Sequence, residues 1–173
     1  LNEKYVAMLG KMLQENQNVQ HFIIGSGDFE GFLEKLKPYD VSGRVHYLGF
    51  QKNIKPFMEM LDVYLASFPY PGCTCELECM ALGVAVVSMA GDLGHHYNSG
   101  ARIVGLDECI AEKDNIKQYV QIASNLIRDE DFRKKTAQKL QERFNREFSP
   151  LVRAKKLELF YKNLVSQDKE MTV

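Results

Sequence analysis

The chain has 173 residues, of which 45% are hydrophobic and 26% are charged, and a chain of this length can bury one sizeable core. Its 22 basic and 23 acidic residues give a formal net charge of -1, which argues against nucleic acid or an acidic membrane as a partner, because both normally require a basic excess. No apolar run approaches the roughly 20 residues that span a bilayer, and residues 1–10 lack the pattern of a signal peptide, so we expect a single cytoplasmic domain with four free thiols.

Hydrophobic periodicity divides the chain into alternating helices and strands. The predicted elements are a helix over 2–15, a strand over 19–24, a short helix to Leu36, a strand over 44–48, a helix over 54–60, two strands with a helix between them within 61–91, and helices over 114–128, 131–144 and 150–165. This order is typical of an α/β fold, in which a Rossmann-like parallel sheet is flanked by helices, here with a helical carboxyl terminus. We interpret Gly25-Ser26-Gly27 as an ordinary turn, because it lacks the third glycine and the Lys-Ser pair of a P-loop.

The segment 61–91 contains the strongest functional signal. Its strand, glycine turn, short helix and second strand predict a right-handed β-α-β unit, and ligands bind at the carboxyl ends of such strands. After Gly72, the backbone amides of Cys73, Thr74 and Cys75 lie at the helix start, where the helix dipole favours a phosphate. One turn later, the carboxylate of Glu78 is placed to accept hydrogen bonds from a ribose. The alternative is a unit without a ligand, in which Glu78 is a solvated helix residue.

The stretch 45–89 resembles the carboxyl-terminal, donor-binding half of a GT-B glycosyltransferase, whose two Rossmann-like domains face each other across a cleft. The similar features are the Gly49-Phe50 turn after a strand, a strand that follows Asp62, and the sequence Glu78-Cys79-Met80-Ala81 with Gly83 before the next strand. This order is fairly specific, and it implies that the chain binds a nucleotide sugar.

A finer resemblance is to glycosyltransferase family 41, which contains the O-GlcNAc transferases and the bacterial cytoplasmic adhesin N-glycosyltransferases. Residues 72–78 are similar to the phosphate-binding turn of that family; Thr74 and Glu78 match, whereas Cys73 and Cys75 do not. Further similar landmarks are 89–92, 105–111, 148–151 and the final helix with Leu157, Glu158, Phe160 and Tyr161. The resemblance implies that Glu78 holds the ribose, that Thr74 and neighbouring amides hold the diphosphate, and that Phe50 and Gln51 frame the uracil.

The family resemblance also implies the type of reaction. It implies an inverting transfer of glucose or GlcNAc from a UDP-sugar to a protein, because Tyr70 stands where retaining enzymes carry the first of two glutamates eight positions apart. We expect no metal cofactor, since the sequence has no acidic cluster suited to magnesium and its cysteines lack the spacing of a zinc site. His95 and His96 follow the second strand and either contact the sugar or diphosphate or are exposed loop residues.

Three alternatives remain open: a non-catalytic GT-B-like scaffold or partner subunit, a retaining transferase, and a nucleotide-sugar epimerase. A donor-binding half of this type opens with a strand that carries a diphosphate-neutralising lysine, whereas this sequence opens with a helix. The resemblance therefore implies a fragment whose first strand and acceptor domain precede it, and it implies that the protein acceptor is bound by that preceding half.

Overall fold

The computed structural model describes residues 2–70, 72–91 and 100–170. The helices are α1 Glu3–Glu15, α2 Phe29–Leu36, α3 Lys55–Glu59, α4 Cys73–Ala81, α5 Ile116–Arg128, α6 Glu130–Glu147 and α7 Pro150–Glu170, and the strands are β1 His21–Ile24, β2 Val45–Gly49, β3 Val63–Leu65, β4 Ala85–Met89 and β5 Ile110–Ala111. Short 3-10 turns and a π-helical turn at Gly100–Val104 connect some of them. No described helix combines the length and the apolar character that a bilayer span requires.

The predicted α/β architecture with a parallel sheet is confirmed. β1 pairs with β2, and β3, β4 and β5 form a second group in that order, with every pair parallel. The unit β3-α4-β4 is the β-α-β unit predicted from residues 61–91. The sequence patterns missed β5, because two residues are too short to show a period, and they ended α6 and α7 too early, at 144 and 165.

Strand β4 separates two apolar clusters. Alternate residues of a strand face opposite sides of the sheet, and Ala85, Val87 and Met89 pack into a first core with α1 and α5. Val86 packs into a second core with Met80 of α4 and Leu140 of α6. All five residues of β4 are buried, so this strand lies at the centre of three layers.

Helices α1 and α5 lie side by side and run in the same direction. Lys4 in the first turn of α1 forms a 2.6 Å ion pair with Asp114, just before α5, and Arg128 at the end of α5 donates a 2.9 Å hydrogen bond to Asn16, just after α1. Because α5 starts at the carboxyl end of β5 and α1 leads into the amino end of β1, the strands β1 and β5 point the same way. All five strands are therefore parallel.

A cavity of about 830 Å³ lies between β1 and β3. Residues 20–24 line one side, and residues 60–65 line the other. The strand order across the molecule is therefore β2, β1, gap, β3, β4, β5. On each side of the gap, strands that come later in the sequence lie further from it. The gap is thus the topological switch point, beside which open α/β sheets bind ligands at the carboxyl ends of the strands.

Candidate functional site

The loop between β3 and α4 is held at the carboxyl edge of the sheet, next to the switch point. The Tyr119 hydroxyl is within hydrogen-bond distance of the carbonyl oxygens of Ala66 and Val87, at 2.8 and 3.0 Å, which ties the ends of β3 and β4 together. Further along the loop, the Ser67 hydroxyl donates to the Tyr70 carbonyl at 2.7 Å. The loop before α4 is therefore held by buried hydrogen bonds at the strand ends and by an exposed hydrogen bond within the loop.

The amino end of α4 differs from those of α1, α2, α5 and α6. Asn2, Asp28, Asn115 and Asp129 cap α1, α2, α5 and α6 with side-chain oxygens that accept from backbone amides. Gly72, at the same position of α4, has no side chain with which to cap. The amides of Thr74 and Cys75 in the first turn thus lack an acceptor from the cap residue, which is the arrangement that binds anions at helix starts.

Gly72 also approaches the sheet closely. A Cβ atom at this position would lie 3.2 Å from the hydroxyl oxygen of Tyr64 and 3.6 Å from the Cβ of Cys75. The first distance is tight enough that the Tyr64 hydroxyl would have to move by a few tenths of an ångström, whereas the second is an ordinary van der Waals contact. The absence of a side chain therefore allows the start of α4 to lie against Tyr64 of β3.

The residues of α4 divide between an exposed and a buried side. Thr74 and Glu78 are exposed and lie four positions apart, so they share one side of the helix. Glu76 is fully buried on the other side with Cys79 and Met80, and it accepts a 2.9 Å hydrogen bond from the hydroxyl of Ser88 in β4. The two residues assigned to the diphosphate and the ribose thus face solvent together at the sheet edge.

Glu76 was not singled out in the sequence, although a signal for its burial was available. Residues 76, 79 and 80 have the spacing of one helix side, and Cys79 and Met80 are apolar. A buried carboxylate needs hydrogen-bond donors, and Ser88 in β4 provides one. Glu76 therefore anchors the first turn of α4 to the sheet.

The thiols at this site are protonated. Burial, followed by the charge of Glu78, raises the pKa of Cys75, while a hydrogen bond from Tyr64 acts in the opposite direction. Burial raises the pKa of Cys79 to about 12. These thiols are poor nucleophiles and poor metal ligands at neutral pH, because both roles require the thiolate.

Arg102 is a residue at this site that sequence reasoning missed. It is exposed on the π-helical turn Gly100–Val104, which packs against α4. Burial and the charge of Glu76 raise the pKa of Cys73, whereas the positive charge of Arg102 lowers it. Arg102 thus places a cation near the start of α4. No local sequence pattern predicts this proximity, because Arg102 and Cys73 are far apart in the sequence.

The other predicted site residues do not all lie next to the start of α4. Phe50 is 78% exposed just after β2, and the side-chain amide of Gln51 donates to the Leu48 carbonyl at 2.6 Å. Both follow the carboxyl end of β2, but β1 and the gap lie between that strand and β3. Tyr70 is 75% exposed in the loop before α4. His95 and His96 lie outside the described residues, as do Pro71 and Asp92.

Within the described ranges, no group of three or more His, Cys, Asp or Glu side chains comes together in a way that would hold a metal ion. The site therefore consists of backbone amides, a hydroxyl, a carboxylate and a guanidinium. This donor set suits an anionic ligand that also carries hydroxyl groups.

The sequence model of the family described as "Glycosyl transferases group 1" matches residues 4–129. The chain belongs to this family. The match includes all five strands, α2 to α5 and all but the first residue of α1. Because α4 and Arg102 are among the matched residues, the site lies within the family domain.

Curated relatives are described as probable peptide N-acetylglucosaminyltransferases. The "Probable UDP-N-acetylglucosamine--peptide N-acetylglucosaminyltransferase SPINDLY" of Oryza sativa subsp. japonica is 37% identical over 73 residues, which are 40% of this chain and 8% of that protein. The protein of the same name from Arabidopsis thaliana is 36% identical over 73 residues, with the same coverage of 40% and 8%. The chain thus spans only a small part of the length of these relatives.

Solved glycosyltransferases share the fold. A mutant of the Thermobaculum terrenum O-GlcNAc transferase matches 98% of this chain and 34% of that chain, with a TM-score of 0.72 and 20% identity. Anabaena HepE, determined in complex with UDP, matches 91% of this chain and 44% of that chain, with a TM-score of 0.74 and 16% identity. Together with the family match and the SPINDLY relatives, these structures confirm the resemblance to the donor-binding half of a GT-B glycosyltransferase close to family 41.

Proposed function

We propose that the chain is the UDP-sugar-binding domain of an inverting, metal-independent glycosyltransferase that transfers glucose or GlcNAc to a protein. The observation that carries this proposal is the uncapped start of α4 at the switch point, with Thr74 and Glu78 exposed on one side of the helix. The UDP bound to the structural neighbour HepE and the peptide substrates named for the SPINDLY relatives support the donor and the acceptor class.

The residues at the start of α4 suit the chemistry of glycosyl transfer. Negative charge develops on the departing diphosphate, so catalysis requires fixed donors where that charge appears. The amides of Thr74 and Cys75 and the guanidinium of Arg102 are such donors, and none of them has to ionise during the step. Glu78, one turn further, is placed to accept hydrogen bonds from the ribose. The tyrosine at position 70 supports the inverting alternative over the retaining one.

A non-catalytic scaffold is the second candidate. Cys73 and Cys75 depart from the family pattern, and Cys75 has a packing role because its sulfur accepts a hydrogen bond from Tyr64. If the site has become purely structural, then the exposed Glu78 has no ligand to bind. The two candidates therefore differ in whether replacing Glu78 changes nucleotide affinity.

The test is a calorimetric titration of the chain with UDP, GDP and ADP. We expect UDP to bind most tightly, and we expect Glu78→Ala to weaken UDP binding by roughly 10- to 100-fold, because hydrogen bonds to a charged group contribute about 1.5–3 kcal/mol. Competition by UDP-glucose and UDP-GlcNAc then identifies the preferred sugar.

The matched control is Glu15→Ala. Glu15 is another exposed helical glutamate, but it lies at the end of α1, at the opposite edge of the sheet. Its replacement is expected to leave UDP affinity unchanged. Equal binding of the three nucleotides, or an equal effect of both variants, would contradict the donor-site proposal and favour the scaffold.

A further inference from the structure

The π-helical turn Gly100–Val104 carries Arg102, the cation near the start of α4. The Gly105 amide donates to the Gly100 carbonyl at 2.9 Å, which is the hydrogen bond between residues i and i+5 that defines a π-turn. Val104 is fully buried in the second core, whereas Arg102 is exposed. Turns of this type are rare and occur frequently at functional sites, so the contacts that fix this turn determine where Arg102 lies.

Strand β4 and helix α6 approach the two ends of this turn closely. A Cβ atom on Gly100 would lie 3.1 Å from the carbonyl oxygen of Met89, the last residue of β4. A Cβ atom on Gly105 would lie 2.5 Å from Cζ of Arg143 in α6, and the φ of Gly105 is +61°, in the left-handed region that favours glycine. The glycines at the start of the turn and directly after it therefore allow both neighbours to contact its backbone.

The guanidinium of Arg143 binds the backbone of the turn. Its Nε donates to the Ile103 carbonyl at 3.0 Å, and its Nη2 donates to the Arg102 carbonyl at 3.4 Å. Carbonyl groups at a helix end lack partners within the helix, and a planar guanidinium, whose donors have fixed directions, suits two adjacent carbonyls. Arg143 thus holds the two peptide units that directly follow the Cα of Arg102.

Neighbouring groups at the end of α6 hold Arg143 itself in place. Its Nη1 forms a 3.1 Å ion pair with Glu147, one helical turn later, and the side chain of Arg143 is only 19% exposed. Its guanidinium carbon lies 5.6 Å from the centroid of the Phe148 ring, within the range of a cation–π contact. Arg146 pairs with the same Glu147 at 2.8 Å but is 65% exposed, so it offers a matched arginine on the same helix.

We propose that Arg143 is a positioning residue, which holds the π-helical turn so that the guanidinium of Arg102 stays beside the start of α4. Arg143 acts through the backbone of Arg102 and Ile103 rather than by contact with a ligand. Its role in UDP binding rests on the proposed function, in which Arg102 stabilises the diphosphate. An arginine that only attached α6 to its neighbours would affect stability without affecting the place of Arg102.

The first measurement follows the place of Arg102 without any ligand. The positive charge of Arg102 lowers the pKa of Cys73, so removing or displacing this charge raises that pKa. Alkylation by iodoacetamide at a series of pH values, read at Cys73 by site-resolved mass spectrometry, gives the pKa because the thiolate is the reactive form. We expect the pKa of Cys73 to rise in Arg102→Gln, to rise by a similar amount in Arg143→Met, and to stay at the wild-type value in the control Arg146→Met.

Calorimetric titration measures the consequence for UDP. Arg143→Met is expected to weaken UDP binding roughly fivefold, the factor expected for one exposed ion pair, and to leave binding of uridine, which has no phosphate, unchanged. The double variant Arg102→Gln/Arg143→Met is expected to bind UDP as Arg102→Gln alone does, because both replacements remove the same contribution. Arg143→Lys retains the charge but not the paired donors; it is expected to show the same changes in smaller size, and it replaces Arg143→Met if that variant does not fold.

A wild-type pKa of Cys73 in a folded Arg143→Met variant would overturn the proposal, since the arginine would then serve only the packing of α6. An equal effect of Arg146→Met, or a further loss of UDP affinity in the double variant, would also overturn it, because Arg143 would then act by means other than Arg102. If the wild-type chain does not bind UDP, the donor-site proposal fails, and the pKa of Cys73 alone decides whether Arg143 positions Arg102.

Discussion

Strands β4 and β1 have nearly the same length but very different surroundings. Every residue of β4 is buried, whereas Phe22 in β1 is 46% exposed and no residue of β1 is fully buried. β4 has a strand on each edge and helices on both faces, while β1 has a described partner strand on one edge only. An apolar run such as 19–24 thus identifies a strand, whereas the burial of that strand depends on neighbours from distant parts of the chain.

The carboxyl edges beside the two strands also differ. After β3 and β4 the edge carries the uncapped α4, Thr74, Glu78 and Arg102, which suits a phosphate and a ribose. After β1 and β2 it carries Gly25 and Phe50, and the hydroxyl of Tyr47, within β2, reaches this edge and donates to the Gly25 carbonyl at 2.7 Å. This second edge offers aromatic and main-chain groups, which suit a planar base. In the proposed function the two edges therefore bind different parts of one nucleotide.

Substitutions in the two strand regions are expected to differ strongly in their effect on the free energy of unfolding. Leu140 is fully buried in the second core beneath β4, so Leu140→Ala is expected to lower the free energy of unfolding by about 3 kcal/mol through lost burial and a cavity. Phe22→Ala removes a larger side chain but is expected to cost less than about 1 kcal/mol, because Phe22 is half exposed. Urea unfolding measures both, and similar losses would show that the β1 region is as well packed as the β4 region.

The stability of the protein is expected to depend on pH through two buried thiols of the second core. Burial raises the pKa of Cys79 and Cys109 from about 9 to about 12. Between these values the unfolded thiols lose protons that the folded thiols keep, so stability that is present below pH 9 decreases as the pH rises towards 12. Each thiol is therefore expected to lower the free energy of unfolding by about 1.4 kcal/mol between pH 8 and pH 10.

The measurement is the urea midpoint at pH 8 and pH 10 for the wild type and for Cys79→Ala/Cys109→Ala. The double variant is expected to be less stable at pH 8 but to lose less stability between the two pH values. Cys73→Ala, which removes a half-exposed thiol, serves as the control and should retain nearly the wild-type loss. An unchanged loss in the double variant would mean that other groups cause the alkaline destabilisation.

Much of the fold could be predicted because its signals are local. The apolar runs and the glycine turn lie within or next to the elements that they define. β5 could not be found in this way, because Ile110 and Ala111 are a strand only by pairing with Ser88 and Met89. The gap between β1 and β3 is also a property of strand order, which no local pattern records.

The candidate site shows the same division between local sequence signals and tertiary contacts. Gly72, Thr74 and Glu78 stand in one short segment, and the structure places them at the sheet edge where the β-α-β pattern predicts them. The partner of Glu76 is Ser88, twelve residues later, and Arg102 reaches α4 from a separate turn. Both contacts depend on tertiary packing, so sequence reasoning named the exposed half of the helix start and missed the residues that support it.

Substitutions at the two carboxyl edges are expected to change nucleotide affinity in different ways. Arg102→Gln removes the cation near α4 and is expected to weaken UDP binding by roughly fivefold, since one exposed ion pair contributes up to about 1 kcal/mol. It should leave binding of uridine unchanged, because uridine has no phosphate. Phe50→Ala should instead weaken uridine and UDP by the same factor, if the edge after β2 holds the base.

The matched control is Arg153→Gln, which removes an exposed arginine from α7 and is expected to change neither affinity. Calorimetric titrations with both ligands separate the outcomes. Loss of uridine binding in Arg102→Gln would mean that the arginine stabilises the fold of the site rather than the phosphates. If Phe50→Ala leaves both ligands unaffected, then the base is bound elsewhere, and the nucleotide contacts only the edge that follows β3 and β4.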